Sequence, residues 1–380
     1  MFSFYEGGLG LLHVGPPQVP SHVGPPAAGS QNNALLAVAL EEFSRQLADD
    51  NPAEKVRDPI ISESSKGRYW NNGMPPPPQP FTPVAQPGED VLQRYDPTIR
   101  KQLVLEQLFR NVSVASRPST SAATGYAQGD LAVQGVAPAV RAFRIECPTP
   151  PMFVVERKSV AGANQRKKSP DRRRTEQLAE LVLQADAAPS FLLAVAGAAP
   201  TTHPWTIELL DTAATLMSIV LHTIKHTLRI ARPAAGDASI VPLLHTPSHY
   251  SFPSGHATYA YCAAELLAAL TNASPGASSA KLRTKLLRAA TLIADNRVVA
   301  GLHYPADSDA GEAVGRSIAH WIVGQGGAGW VNAKIFNPSY AVDASKGEAS
   351  LSFTETPNVA LPDTPRWRWL MHRAWQEWQY

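Results

Sequence analysis

Cysteine is scarce. Cys147 and Cys262 are the only two in 380 residues, too few for a disulfide framework, and they need not pair. Both read as reduced thiols, Cys262 on a buried helix face. Long uninterrupted hydrophobic runs are also missing. The longest, near residues 191–200 and 257–270, are broken or shorter than the roughly 20 apolar residues of a bilayer span. No transmembrane span is therefore expected. The stretch from Met1 to Gly8 has no basic start and no apolar core of about 7–15 residues, so no secretory signal is expected and a cytoplasmic location is. Strong net charge is absent too: +2 overall argues neither for nor against an anionic partner, and local charge must decide.

Proline, by contrast, is abundant. It makes up 34 of 380 residues, and fourteen lie in the first 90, which is poor material for regular structure. Hydrophobic residues, at 44%, suffice for a real core. Four regions follow. Residues 1–90 read as an irregular Pro/Gly-rich extension with one helix, 33–49, and a polyproline run at 75–78 that reads as a stiff spacer or as a docking site for a proline-reading module. Residues 91–174 hold a helix from about 89 to 111, broken in its first turn by Pro97. Loops follow, with extended candidates at 142–145 and 152–155. The basic segment 156–174 reads as a solvated loop or as a rim that draws in anions. No aromatic or recognition motif accompanies those charges, so nucleic acid is not expected as a partner.

From residue 175 the periodicity turns helical and stays so, over 175–187, 190–198, 205–231, 256–271, 281–300 and 307–323. Residues 175–326 thus read as a helical bundle, and the fold class is mainly α. Residues 327–380 form a tail that ends in an aromatic, Arg-bearing helix. That helix either packs back on the bundle or meets a membrane surface or a partner.

Three clusters inside the bundle carry the chemistry. Lys225 and Arg232 are seven residues apart, so two helical turns place them on one face, with Arg229 as neighbour. Together they suit an anion clamp, Arg as a planar fork and Lys as a point charge. Pro253-Ser254-Gly255-His256 is a tight turn before a helix. There the Ser254 hydroxyl and the Gly255 amide meet a helix N-terminus, where an oxyanion is welcome. His256 can give a proton. His303 and Asp307 are four apart, so the carboxylate can fix the imidazole tautomer and leave the other nitrogen to attack. Gly301 is placed to end one helix, so that Arg297 and His303 converge from two elements. His245, His249, Tyr250 and Phe252 lie near the second cluster and read either as lining of the substrate approach or as structure.

In this order and spacing the clusters resemble the three-part signature of the type 2 phosphatidic acid phosphatase superfamily, which includes class A acid phosphatases, lipid phosphatases and vanadium-dependent haloperoxidases. Lys225, Arg232 and Pro233 match the first motif, Pro253 to His256 the second, and Arg297, His303 and Asp307 the third. The family often has Ser before the third-motif Arg, where this chain has Asn296.

The resemblance implies His303 as nucleophile oriented by Asp307, His256 as general acid, and Lys225, Arg232, Ser254, Gly255 and Arg297 around the phosphate oxygens. Hydrolysis of a small phosphate monoester through a phosphohistidine would need no cofactor. The same pocket implies vanadate as cofactor, with His303 as its ligand, if the chain is instead a haloperoxidase using halide and hydrogen peroxide. A non-catalytic oxyanion-binding protein is the third reading. A homo-oligomer is compatible with all three.

Overall fold

The computed structural model describes residues 39–40, 43–44, 89–110, 112–117, 128–133, 140–146, 157, 160–161, 173–271, 277–326, 333–343, 348–359 and 364–379. The polyproline run, Cys147, the strand candidate at 152–155 and nearly all of the basic segment lie outside these residues, as does most of the first helix, of which Ala39, Leu40, Phe43 and Ser44 are helical.

Proline sets several boundaries. The helix expected over 89–111 divides at Pro97, giving a 3-10 turn, Glu89–Arg94, and then α1, Pro97–Phe109. Asp96 caps α1 by accepting from the Thr98 amide at 2.8 Å, and Pro97 occupies the first helical position, where no amide proton is needed. The two helices expected at 175–187 and 190–198 are one element, α2, Arg173–Ala196, with Pro189 inside it. Proline removes a hydrogen bond and clashes one turn back, and the limbs Leu178–Ala185 and Ala188–Ala196 meet at 100°.

The remaining bundle helices are α3 (Pro204–Leu228), the short α4 (Pro233–Gly236), α5 (Gly255–Thr271), α6 (Ala277–Val299) and α7 (Pro305–Gly326). The α5 helix is central: all residues from His256 to Leu270 are buried, as expected of a helix apolar all round. It packs against α6, α7, α3 and α2. Cys262 is buried on it as a free thiol, and burial pushes that thiol well above its ordinary range.

Two small antiparallel sheets accompany the helices. Strands β1 (Val112–Arg117), β2 (Gln128–Val133) and β3 (Val140–Glu146) form a meander, and β4 (Ala333–Asp343) pairs with β5 (Glu348–Val359). The meander includes the expected extended segment at 142–145. The second pair was not anticipated within the tail. The last helix, α8 (Pro365–Gln376), folds back on α3, α1 and α7, so the packed alternative for the aromatic tail is the one adopted. Trp367 is fully buried and donates to the Ile322 carbonyl at 2.6 Å, while Glu377 accepts from the Trp205 and Thr206 amides at 2.8 Å and so caps α3.

The expectation of no spanning segment is not upheld. Among the described residues one helical stretch, Pro204–Gly236, is long and apolar enough to cross a bilayer, and more than half of its most apolar window is buried inside the protein. Its apolar residues are spread among Thr, Ser and His, so no uninterrupted run betrays it.

Candidate active site

The first cluster converges by a chain reversal rather than by helical periodicity. The α3 helix ends at Leu228, three residues before the expected limit, because Arg229 takes the left-handed conformation (φ 54°) and donates its amide to the Lys225 carbonyl. Outside glycine that conformation is uncommon and costs on the order of 1 kcal/mol or more. Arg232 is therefore not on the face of Lys225. It stands extended at the start of α4, with Pro233 in the first helical position. Arg229 turns away from the pair: its exposed side chain donates to the His226 carbonyl at 3.2 Å.

Lys225 and Arg232 are buried, with relative exposures of 1% and 6%. Lys225 Nζ donates to the carbonyls of Tyr250 (3.0 Å) and Ser251 (2.9 Å). Arg232 Nη1 donates to the Leu302 carbonyl and to His303 Nε2, both at 3.0 Å, and its Nη2 and Nε reach His249 Nδ1 and the His249 carbonyl at 3.2 Å.

These contacts fix the His303 tautomer. Guanidinium can only donate, so Nε2 is an acceptor with its lone pair toward Arg232. The proton then sits on Nδ1, which donates to Asp307 Oδ2 at 2.7 Å. The same oxygen accepts from Ser251 Oγ (2.5 Å) and from the Tyr304 amide (3.0 Å), and both His303 and Asp307 are fully buried. A carboxylate with three donors is held in one orientation, and it holds the ring in turn.

The second cluster sits where two helix N-termini meet. Ser254 precedes α5, accepts from the Ala257 amide at 3.3 Å, and donates its own amide to the Asp307 carbonyl at 2.8 Å. Gly255 is the first residue of α5, so its amide has no acceptor within the helix. The other N-terminus is that of α7, which begins at Pro305, directly after His303 and Tyr304. Both helices aim their positive ends at this corner. Glycine lets them approach so closely: a Cβ at Gly315 would lie 2.2 Å from the Thr258 carbonyl oxygen, and one at Gly311 2.8 Å from that of Ser254.

The helix break expected between Arg297 and His303 is present. The α6 helix ends at Val299, Gly301 takes φ 76°, and the Leu302 amide donates to the Arg297 carbonyl at 3.1 Å, so Arg297 and His303 come from two elements. Arg297 is fully buried, and its Nη2 donates to the Leu181 carbonyl (3.0 Å) on α2. His256 also reaches α2: its Nε2–H donates to the Gln184 carbonyl at 3.2 Å.

Contacts thus tie Lys225, Arg232, His303, Asp307 and Ser254 together through residues 249–251 and 302–307, and tie His256 and Arg297 together through α2. His249 and the Tyr250 carbonyl, from the stretch read as lining or structure, bond Arg232 and Lys225, and Ser251, which was not singled out, bonds Asp307. Phe252 is fully buried core.

Comparison with known proteins agrees with this geometry. Residues 209–328 match the family model described as the PAP2 superfamily. This stretch contains all eight proposed site residues. Among solved structures, a transmembrane PAP2-type phosphatidylglycerolphosphate phosphatase from Bacillus subtilis is similar over 46% of this chain and 85% of that one, at 19% identity and a TM-score of 0.37, too distant to inform substrate or setting. No curated protein matches. The PAP2 match supports phosphatase-type chemistry for the pocket.

Proposed function

We propose that the protein hydrolyses phosphate monoesters through a phosphohistidine on His303. The observation that carries this reading is the His303 ring held between Asp307 and Arg232, with an unprotonated Nε2 beside a guanidinium. Such a nitrogen is a nucleophile already next to a group that binds oxyanions. Phosphate oxygens would replace carbonyls as acceptors for Lys225, Arg232 and Arg297, and would take the Gly255 amide and the Ser254 hydroxyl.

Nε2 attacks phosphorus, the P–O ester bond breaks, and the leaving oxygen takes a proton from His256. Water then attacks phosphorus, returns a proton to His256, and the P–N bond breaks to release phosphate. As an imidazolium, His256 has two N–H groups: the Gln184 carbonyl holds one, and the other serves the leaving oxygen.

The donor set also fits vanadate, a tetrahedral oxyanion, with His303 Nε2 as ligand and Lys225, Arg232, Arg297 and Ser254 around the oxygens. Bound vanadate would supply the capacity to activate peroxide toward a halide. A paired assay separates the readings: hydrolysis of a chromogenic phosphate monoester, against bromination of a dye with peroxide, bromide and added orthovanadate. Hydrolysis that orthovanadate inhibits is the expected result. Vanadate-dependent bromination with negligible hydrolysis would overturn the phosphatase reading, and silence in both arms would favour a non-catalytic oxyanion binder.

A further inference from the structure

We infer that Glu180 and Gln184 on α2, joined to Asn296, are positioning residues that set Arg297 and His256 in the oxyanion pocket; this rests on the pocket reading proposed above. Neither α2 residue lies in the segment 209–328 that matches the PAP2 family model. Both are fully buried, and Asn296 is 7% exposed. They adjoin an apolar cluster of Leu181, Ala300 and Leu302, packed with Leu243 and Leu244. Polar groups in such a place are costly unless bonded, and here the bonds form one directed network.

Asn296 Nδ2 donates to Glu180 Oε1 (2.6 Å) and to Gln184 Oε1 (3.0 Å). Gln184 Nε2 donates to the same Glu180 oxygen at 2.8 Å. Gln184 Oε1 then accepts from Arg297 Nη2 at 3.3 Å, and the Gln184 main-chain oxygen accepts from His256.

The directions matter more than the count. A glutamine amide can face either way. Because Glu180 takes its N–H, the oxygen must point at Asn296 and Arg297. Turned over, the amide would aim a donor at a guanidinium. Glu180 thus acts on Arg297 through the orientation of Gln184, and Gln184 joins the clamp to the acid through two separate oxygens.

Asn296 completes the logic. It stands where the family often has serine. A serine has one short donor, whereas the Asn296 amide reaches two oxygens one helical turn apart on α2. The departure in the third motif and the polar pair on α2 are one device, which fastens the Leu178–Ala185 limb against the pocket.

The test uses the full chain and orthovanadate as probe, with E180L, E180Q, N296S and H303A. Kd for orthovanadate, KM and kcat for the chromogenic ester, and thermal unfolding are read for each. Partners behind a metal-binding residue typically contribute about 10–100-fold in affinity, and residues behind an oxyanion clamp play the same part. E180L, which removes the acceptor, is expected to raise Kd and KM by about that factor and to lower kcat. E180Q keeps a carbonyl oxygen for both amides and is expected to recover most of the loss. N296S, the milder change, is expected to raise Kd by about tenfold or less with little effect on unfolding.

Folded E180L and N296S proteins that bind orthovanadate like wild type, with KM unchanged, would overturn the inference, whatever their melting temperatures. So would an E180Q no better than E180L. H303A separates this from failure of the underlying reading: it is expected to lose turnover while the wild type still binds orthovanadate. A wild type that binds none would remove the pocket reading and this inference together.

Discussion

At the scale of single residues, the site works through atoms that have one role only. Guanidinium donates, carbonyls and carboxylates accept, and the His303 imidazole between them is left no choice of tautomer. Arg232 and Asp307 on opposite edges of His303 are the clearest case, at 3.0 Å and 2.7 Å. Asp307→Asn keeps the shape but presents an amide that can turn either way. We expect kcat to fall by about 10²–10⁴-fold with little change in orthovanadate affinity; steady-state kinetics beside vanadate titration checks this. A fall confined to affinity would mean that Asp307 shapes the clamp rather than the nucleophile.

At the scale of elements, the close pairing of α5 and α7 brings the Ser254 turn against Asp307. Gly311 and Gly315 bring α7 against the first turn of α5, and the Ser254 amide bonds the Asp307 carbonyl at 2.8 Å across the contact. Gly315→Ala would place a methyl 2.2 Å from the Thr258 oxygen, a backbone atom that only a shift of the helices can relieve. We expect a loss of about 1–3 kcal/mol of stability and a drop in kcat larger than that of a comparable core change elsewhere, read by denaturant unfolding and by turnover of the folded fraction. Helix existence was legible here from periodicity and from Pro and Gly signals. The helix–helix distance was not, since glycine at 311 and 315 reads locally as mere tolerance.

At the scale of the whole molecule, a buried charge network locks α5, α6 and α7 behind the site. Glu265, fully buried on α5, pairs with Arg283 at 2.6 Å and Arg316 at 3.1 Å, and Arg316 also pairs with Glu312 at 3.0 Å. Burial alone would raise the Glu265 carboxyl, but His320, Arg316 and Arg283 outweigh it and hold that group well below its ordinary 4.5. The unfolded chain therefore takes up a proton at Glu265 as pH falls through 4.5, while the folded chain does not. Its stabilising contribution is full above that pH and is lost on further acidification. Glu265→Gln is expected to cost about 3–5 kcal/mol at neutral pH, since it takes the buried carboxylate away from Arg283 and leaves Arg316 to Glu312. It should also flatten the acid limb of stability, measured by denaturant melts from neutral pH to about pH 3. An unchanged acid limb would mean that other carboxylates govern it.

The sequence by itself singled out the candidate site residues. Lys225, Arg232, the Ser254–His256 turn, Arg297, His303 and Asp307 are each marked by local features: a helix end, a tight turn, an i,i+4 pair, a glycine stop. It also determined the helical course over 175–326, within a few residues apart from the division at Pro189. Tertiary structure decided how these pieces meet. Arg232 reaches His303 because Arg229 adopts a left-handed cap, a choice no periodicity encodes. Two helical patterns flanking Pro189 became one bent helix, and its Glu180 and Gln184 reached Asn296 and Arg297 more than a hundred residues away. Local pattern records which face of a helix is buried. It does not record what lies against that face, because the contact energy belongs to pairs distant in the chain and is settled only when the whole core closes.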